Sequence, residues 1–147
     1  MSTSNYFRKA NDDVVTQYSV QRPKGKAKTA PHRNSEGVTP PPCLKLILPS
    51  GKVFQVSTER EISIGRRSRP ADPEVTVDLQ EHGGVEGGVS RYHAMIVVVK
   101  GVLYLRDLNS VNGTFLNGHR LMPIASYPVK DGDTLTLGEL SMTVEYC

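Results

Sequence analysis

Tryptophan is absent from the 147 residues, aromatic residues of any kind make up only 6%, and cysteine occurs twice, at positions 43 and 147. Two cysteines write neither a disulfide framework nor a C-x-x-C metal knuckle, so reduced thiols are expected. A bridge would need the first and last strands to be neighbours. No apolar run approaches the roughly eighteen residues that cross a bilayer. The opening MSTSNYFRKANDDVV also lacks the apolar stretch of about seven to fifteen residues that a secretory signal requires. The reading is a cytoplasmic protein with no membrane partner. A helical apolar period is missing as well, which leaves strands to build any core.

What charge there is, is unevenly placed. Residues 1–42 carry Arg8, Lys9, Arg22, Lys24, Lys26, Lys28 and Arg33 against Asp12, Asp13 and Glu36, a balance of +4. The overall charge is +3, so residues 43–147 stand at −1. A nucleic-acid-binding domain would normally be basic itself, and a nucleic-acid role is left only to the tail lysines 24, 26 and 28. Residues 1–42 show no apolar period and are rich in Lys, Pro, Ser, Thr and Gly from residue 21 onward, a composition that cannot offset its ordering entropy by burial. They are expected to form a disordered basic tail, possessing a stiff Pro40-Pro41-Pro42 spacer at its end. One patch, around Thr16, mixes acids, apolar residues and hydroxyls. It reads either as a recognition segment or as ordinary solvated tail.

From Cys43 the period becomes two. Leu44, Leu46 and Leu48 alternate with Lys45 and Ile47, and Pro49-Ser50-Gly51 turns the chain into residues 52–56. Ile62 and Ile64 form a strand that stops at Gly65-Arg66-Arg67. Residues 68–88 are irregular, with one short candidate strand at Val75-Thr76-Val77. Residues 93–99 are apolar on both faces, as in a central strand. Lys100-Gly101 leads into Leu103 and Leu105, and Asn117-Gly118 is the strongest short hairpin signal available. Asp131-Gly132-Asp133 turns into Leu135 and Leu137. The last strand turns Leu140, Met142, Val144 and Tyr146 inward. No stretch reads as a helix. Short strands spaced by Gly, Pro, Asn and Asp turns indicate an all-β, antiparallel sandwich over residues 43–147, with a barrel as the alternative.

Several chemistries can be weighed against the residues. Ser90, His93 and Asp107 invite a hydrolase triad, but Gly88-Val89-Ser90-Arg91-Tyr92 lacks the second glycine of a nucleophile elbow and runs into a strand. The glycines at 83, 84, 87 and 88 fit neither dinucleotide nor P-loop spacing. Asp131 and Asp133 lack the rest of a calcium loop, so a plain turn accounts for them. His82, His93 and His119 show no metal-ligand pattern. Neither a cofactor nor a metal is implied. What remains is an anion site at one end of the sandwich, where loops carrying Arg66, Ser90, Arg91 and Asn112 converge. A guanidinium with two parallel charge-assisted bonds, a hydroxyl and an amide would suit a phosphate monoester.

These residues together resemble the forkhead-associated (FHA) domain. The pattern is carried by Gly65-Arg66, Ser90-Arg91-Tyr92-His93, Asp107-Leu108-Asn109-Ser110, Asn112-Gly113-Thr114 and Asn117-Gly118, closed by Asp131-Gly132-Asp133 and Leu137-Gly138. The resemblance implies a sandwich of about eleven strands without catalytic activity, whose apical loops bind phosphothreonine-containing proteins in Ser/Thr kinase signalling. Arg66 and Ser90 would hold the phosphate, Arg91 would add a phosphate or flanking contact, and Asn112 would bind the peptide backbone. Gly65, His93, Gly113, Thr114, Asn117 and Gly118 would be architectural, with His93 bracing the loops. Val111 stands where some members carry a hydroxyl that also contacts phosphate, so one bond is expected to be missing. The segment from residue 67 to 89 is long for the family, and its Glu74, Asp78, Glu81 and Glu86 would tilt selectivity toward basic peptides. Some members are switched off by their own phosphorylated tail, which makes Thr16 the candidate modification site. A phosphate-independent scaffold using the same loops is the alternative. The single small domain with a short tail suggests a bacterial protein.

Overall fold

Strands form here because β-branched and leucine residues alternate with polar ones, so each strand can bury one face against a second sheet. The computed structural model describes residues 38–147; the Thr16 patch and the rest of residues 1–37 lie outside them. Eleven strands follow in order: β1 (Cys43–Ile47), β2 (Val53–Ser57), β3 (Ile62–Gly65), β4 (Val77–Asp78), β5 (Tyr92–Val99), β6 (Val102–Asp107), β7 (Thr114–Leu116), β8 (His119–Arg120), β9 (Ser126–Pro128), β10 (Thr134–Leu137) and β11 (Leu140–Tyr146). They make two separate sheets, ordered β2-β1-β11-β10-β7-β8 and β4-β3-β5-β6-β9. The sandwich is therefore the architecture, and the barrel is not. Strand pairs are antiparallel except β3 and β4, which run parallel with Ile64 opposite Val77.

The core lies between the sheets. Leu44, Leu46, Ile64, Ile96, Leu105, Leu137 and Val144 are fully buried, each worth roughly 1.5–3 kcal/mol of burial. Asn117 and Gly118 have φ of 51° and 85°, the doubly positive pair of a two-residue hairpin. Asn117 ties that hairpin to the next turn: its Nδ2 donates to Asp133 Oδ1 at 3.1 Å and its Oδ1 accepts from the Thr134 N–H at 2.9 Å.

Three features depart from the sequence reading. The cysteines are joined rather than reduced: Cys43 and Cys147 form a disulfide with their Cα atoms 5.1 Å apart. The cause is register, since β1 and β11 are neighbours with Leu44 opposite Tyr146, and the Cys147 N–H donates to the Cys43 carbonyl. A short π-helical turn occupies Gln80–Gly84 where no helix was expected. Gly83, at φ 90°, lets the chain reverse there, and a Cβ on Gly84 would lie 2.5 Å from the Leu79 carbonyl oxygen. Strand β9 carries no alternation in the sequence and is recruited only by pairing with β6, Leu105 opposite Tyr127. The candidate strand at 75–77 is realised as Val77–Asp78. The packed unit also reaches back past Cys43: Thr58 donates its N–H to the Pro42 carbonyl and its hydroxyl to the Pro41 carbonyl.

Strands β5 and β11 both begin at one end of the sandwich, where the β10–β11 turn donates from Gly138 to the Gly113 carbonyl and from Glu139 to the Gly87 carbonyl. That end gathers the loops before β4, β5 and β7. The disulfide and the Lys100-Gly101 turn close the other end, about 25 Å away at the rise of an extended strand.

Candidate functional site

Strand β3 ends at Gly65 because nothing larger fits. A Cβ there would lie 2.0 Å from the Arg91 carbonyl oxygen, so the close crossing of β3 under the start of β5 admits only glycine. The next residue, Arg66, donates its backbone N–H to that same carbonyl at 3.1 Å. Its side chain, half-buried, is held laterally: Nε donates to the Val89 carbonyl at 2.6 Å and Nη1 to Gln80 Oε1 at 3.3 Å. No described residue takes a bond from Nη2.

Ser90 follows Val89. Its Oγ accepts from the Val111 N–H at 3.2 Å, which leaves the hydroxyl proton free to donate. Its backbone N–H donates to His93 Nδ1 at 2.9 Å. That bond assigns the proton of the neutral imidazole to Nε2, which donates to the Gly113 carbonyl at 3.0 Å. His93 is fully buried, and burial pushes its pKa below the ordinary 6.5 against the opposing pull of the Gly113 carbonyl and the Asp107 charge. One ring thus spans the two loops that carry Ser90 and Asn112.

The second loop is wrapped on Asp107. Its Oδ1 accepts from the hydroxyls of Ser110 and Thr114, both at 2.6 Å, and its Oδ2 from the Ser110 N–H at 3.2 Å. The Ser110 hydroxyl oxygen in turn accepts from the Gly113 N–H. Asn112 then reaches across, with Nδ2 donating to the Gly88 carbonyl at 2.9 Å. A Cβ on Gly88 would lie 2.5 Å from that Nδ2, so glycine at 88 is what lets the two loops meet. Val111 sits at the tip, 82% exposed and without a polar side chain.

Arg66, Ser90 and Asn112 are therefore brought together around three consecutive residues, 88–90. Arg91 is turned aside: its Nη1 donates to Asp72 Oδ1 at 3.1 Å. Asn117 and Gly118 lie away from the loops, at the far end of the short β7. Ser90, His93 and Asp107 do not assemble a triad, because the imidazole bonds two backbone groups and the carboxylate bonds Ser110 and Thr114.

A family model described as the FHA domain matches residues 62–138, from the start of β3 to the β10–β11 turn. The chain belongs to this family. It is similar to an FHA domain solved in a structural and functional analysis of phosphothreonine-dependent FHA domain interactions, at 31% identity and a TM-score of 0.55 over 71% of this chain and 97% of that one. It is similar also to the FhaA FHA domain complexed with the intracellular domain of Rv3910, at 31% identity and a TM-score of 0.54 over 70% and 98%. Among curated proteins, an ABC transporter ATP-binding/permease protein of Mycobacterium tuberculosis is 40% identical over 53 residues, 36% of this chain and 6% of that protein. The chain spans between 6% and 20% of the length of the curated relatives it matches, which come from a bacterium, two yeasts and a plant.

Within this FHA domain, Gln80 and Asp72 position the two arginines and were not visible in the sequence. Both lie in the irregular stretch between motif elements, where no period marks them. Asp72 is 5% exposed. Burial alone would push its carboxyl up, but hydrogen bonds from Ser68, Arg91 and Arg69 outweigh it and hold the group well below the usual carboxylate range. No helix among the described residues is long and apolar enough to cross a membrane, and they contain no cluster of three or more His, Cys, Asp or Glu able to hold a metal ion.

Proposed function

We propose that the loop end of this sandwich binds phosphothreonine peptides and that the protein is a non-catalytic adaptor in Ser/Thr kinase signalling. The observation that carries this reading is the convergence of Arg66, Ser90 and Asn112 on residues 88–90, each oriented by a bond to a neighbouring loop and each keeping unspent hydrogen-bonding capacity. A phosphate monoester brings nearly two negative charges and several strong acceptors. A preoriented guanidinium with a hydroxyl beside it meets such a group with charge-assisted bonds. The Asn112 Oδ1 is left to accept from a peptide backbone N–H. Arg91, Asp72-bound and half exposed, supplies long-range attraction beside the phosphate. The phosphothreonine dependence reported for the FHA domain 31% identical to this one supports the same reading.

Titration with phosphothreonine, phosphoserine and unphosphorylated versions of one peptide tests it. Binding that requires the phosphate and falls at least about thirtyfold in Arg66→Ala is expected, the effect of truncating one partner of a desolvated charge pair. Equal affinity for all three peptides would leave the phosphate-independent scaffold in its place.

Regulation by the protein's own tail belongs to the same proposal. Thr16 is about 22 residues from Val38, and an unstructured chain of that length would span about 25 Å, comparable to the height of the domain. A phosphorylated Thr16 on that tether would compete with outside partners at millimolar effective concentration. Full-length protein phosphorylated at Thr16 should bind added phosphopeptide more weakly than the same protein with Thr16→Ala. The cytoplasmic setting is a further part of the reading, and the Cys43–Cys147 bond bears against it, since such bonds persist in oxidising compartments. Thiol labelling in intact cells distinguishes the two settings.

A further inference from the structure

The long segment between Arg66 and Ser90 holds an arginine that the phosphate site does not use. Asp72 organises it. The Asp72 Oδ2 accepts from the Ser68 N–H, the Ser68 hydroxyl and the Arg69 N–H at 2.9, 2.9 and 3.0 Å. Its Oδ1 accepts from Arg69 Nε and Nη2 at 3.3 and 3.1 Å and from Arg91 Nη1 at 3.1 Å. One buried carboxylate therefore fixes two guanidiniums whose side chains stay 64% and 50% exposed. Fixing them matters, because a preorganised guanidinium loses less rotamer freedom on binding than a loose surface one.

Of the acids nearest to these arginines, Asp78 is engaged and Glu74 is exposed. Asp78 Oδ1 accepts from the N–H groups of Arg67 and Gln80 at 2.9 and 3.0 Å. Glu74 lies 3.9 Å from Arg67. Arg67 itself is turned inward, donating to the Asp72 and Pro70 carbonyls. Glu81 and Glu86 are on the other side of Gln80, in the segment that folds toward the β10–β11 turn. Counting acids along the segment points to basic ligands, whereas the Asp72 carboxylate gathers two part-exposed guanidiniums, one of them on Arg91, the residue that follows Ser90. An open cleft of about 310 Å³ is lined by Arg67, Ser68, Arg69, Pro70 and Asp78.

We infer that Arg69, held on Asp72 together with Arg91, is a specificity-determining residue that reads a carboxylate side chain of the bound peptide, on the flank of the phosphothreonine that passes the 67–70 cleft. The inference rests on the phosphopeptide reading of the site. The ligand is an acidic phosphopeptide segment: the phosphate goes to Arg66 and Ser90, and an Asp or Glu a few residues away goes to the exposed edge of the Arg69 guanidinium.

The test walks a single Glu, Ala or Lys through the positions flanking phosphothreonine in one peptide and measures Kd for full-length protein, Arg69→Ala and Arg69→Glu. Wild-type protein should prefer Glu over Ala by about two- to five-fold at one flanking position, the scale of an exposed ion pair. Arg69→Ala should lose that preference while keeping its affinity for the Ala peptide, and Arg69→Glu should prefer Lys at the same position. A flat profile in the wild type, or a Glu preference that survives in Arg69→Ala, overturns the inference and leaves phosphate binding intact. If the Ala phosphopeptide binds no better than its unphosphorylated form, the reading of the site itself fails, and this inference fails with it. Arg69 is largely exposed, and coincident thermal melts of the three proteins separate a lost preference from a lost fold.

Discussion

At one end of the sandwich, Cys43 is bonded to Cys147, and the Lys100-Gly101 turn takes up positive φ at both of its residues, 51° and 83°. At the other end there is no covalent tie. The loops are held by the buried polar groups of His93 and Asp107 and by the close approach of Gly65 and Gly88 to neighbouring residues. The contrast has a physical reason. A closing end needs only to stay closed, and a covalent bond does that independently of neighbouring side chains. A binding end must hold several backbone segments still while leaving donors unspent, and this takes groups that satisfy one another beneath the surface.

The comparison breaks most visibly at the disulfide. It closes a loop of 104 residues, so reduction should lower unfolding free energy by about 2–5 kcal/mol, read as the denaturation midpoint with and without reductant. Phosphopeptide affinity should stay unchanged under the same reductant, since the clasp lies at the far end; a parallel loss of binding would mean that the two ends are coupled. Asp107→Ala should do the opposite in kind. It strands the Ser110 and Thr114 hydroxyls and frees the loop that carries Asn112, costing about 2–4 kcal/mol and weakening peptide binding as well.

A smaller effect separates the ends by pH. The folded-state pKa of His93 lies below its ordinary 6.5, so between the two values the unfolded chain binds the extra proton. Its contribution to stability is complete above about pH 6.5 and is lost as pH falls through the folded value. Thermal melts between pH 7.5 and 5 should show this slope, and His93→Gln should flatten it. Asp72, also held down by its bonds, adds a similar loss only below the ordinary carboxylate value of 3.8. The smallest effect concerns backbone strain at the loop end. Ile124, a β-branched residue, sits at φ 71° and donates its N–H to the Asp107 carbonyl. Ile124→Gly should relieve that strain and stabilise the domain by about 0.5–1 kcal/mol, as a rise in melting temperature.

Much of the framework is legible in the sequence. Alternating Leu44, Leu46 and Leu48 announces β1, and Asn117-Gly118 announces its hairpin, because the period and the turn chemistry are local. The residues Arg66, Ser90 and Asn112 were legible too, as elements of an ordered pattern. Gln80 and Asp72 were not. Each acts on an arginine a dozen or more residues away along the chain, through a loop whose path has no repeat. Of the acids of that loop, only Asp78 is taken up by hydrogen bonds, while Glu74, Glu81 and Glu86 stay exposed, a distinction that a count along the sequence does not make.

The sequence by itself determined a chain of short strands, the places where the chain turns, and the residue types gathered in the loops, since these follow from side-chain period and backbone preference within a few residues. Only the tertiary structure decided that β1 and β11 are neighbours, which brings Cys43 to Cys147, and that Gly88, Val89 and Ser90 are the ledge on which Asn112 and Arg66 meet. It also decided that Arg91 turns to Asp72. Such outcomes depend on register and on which buried donor finds which acceptor, and these are properties of the packed whole rather than of any stretch of chain.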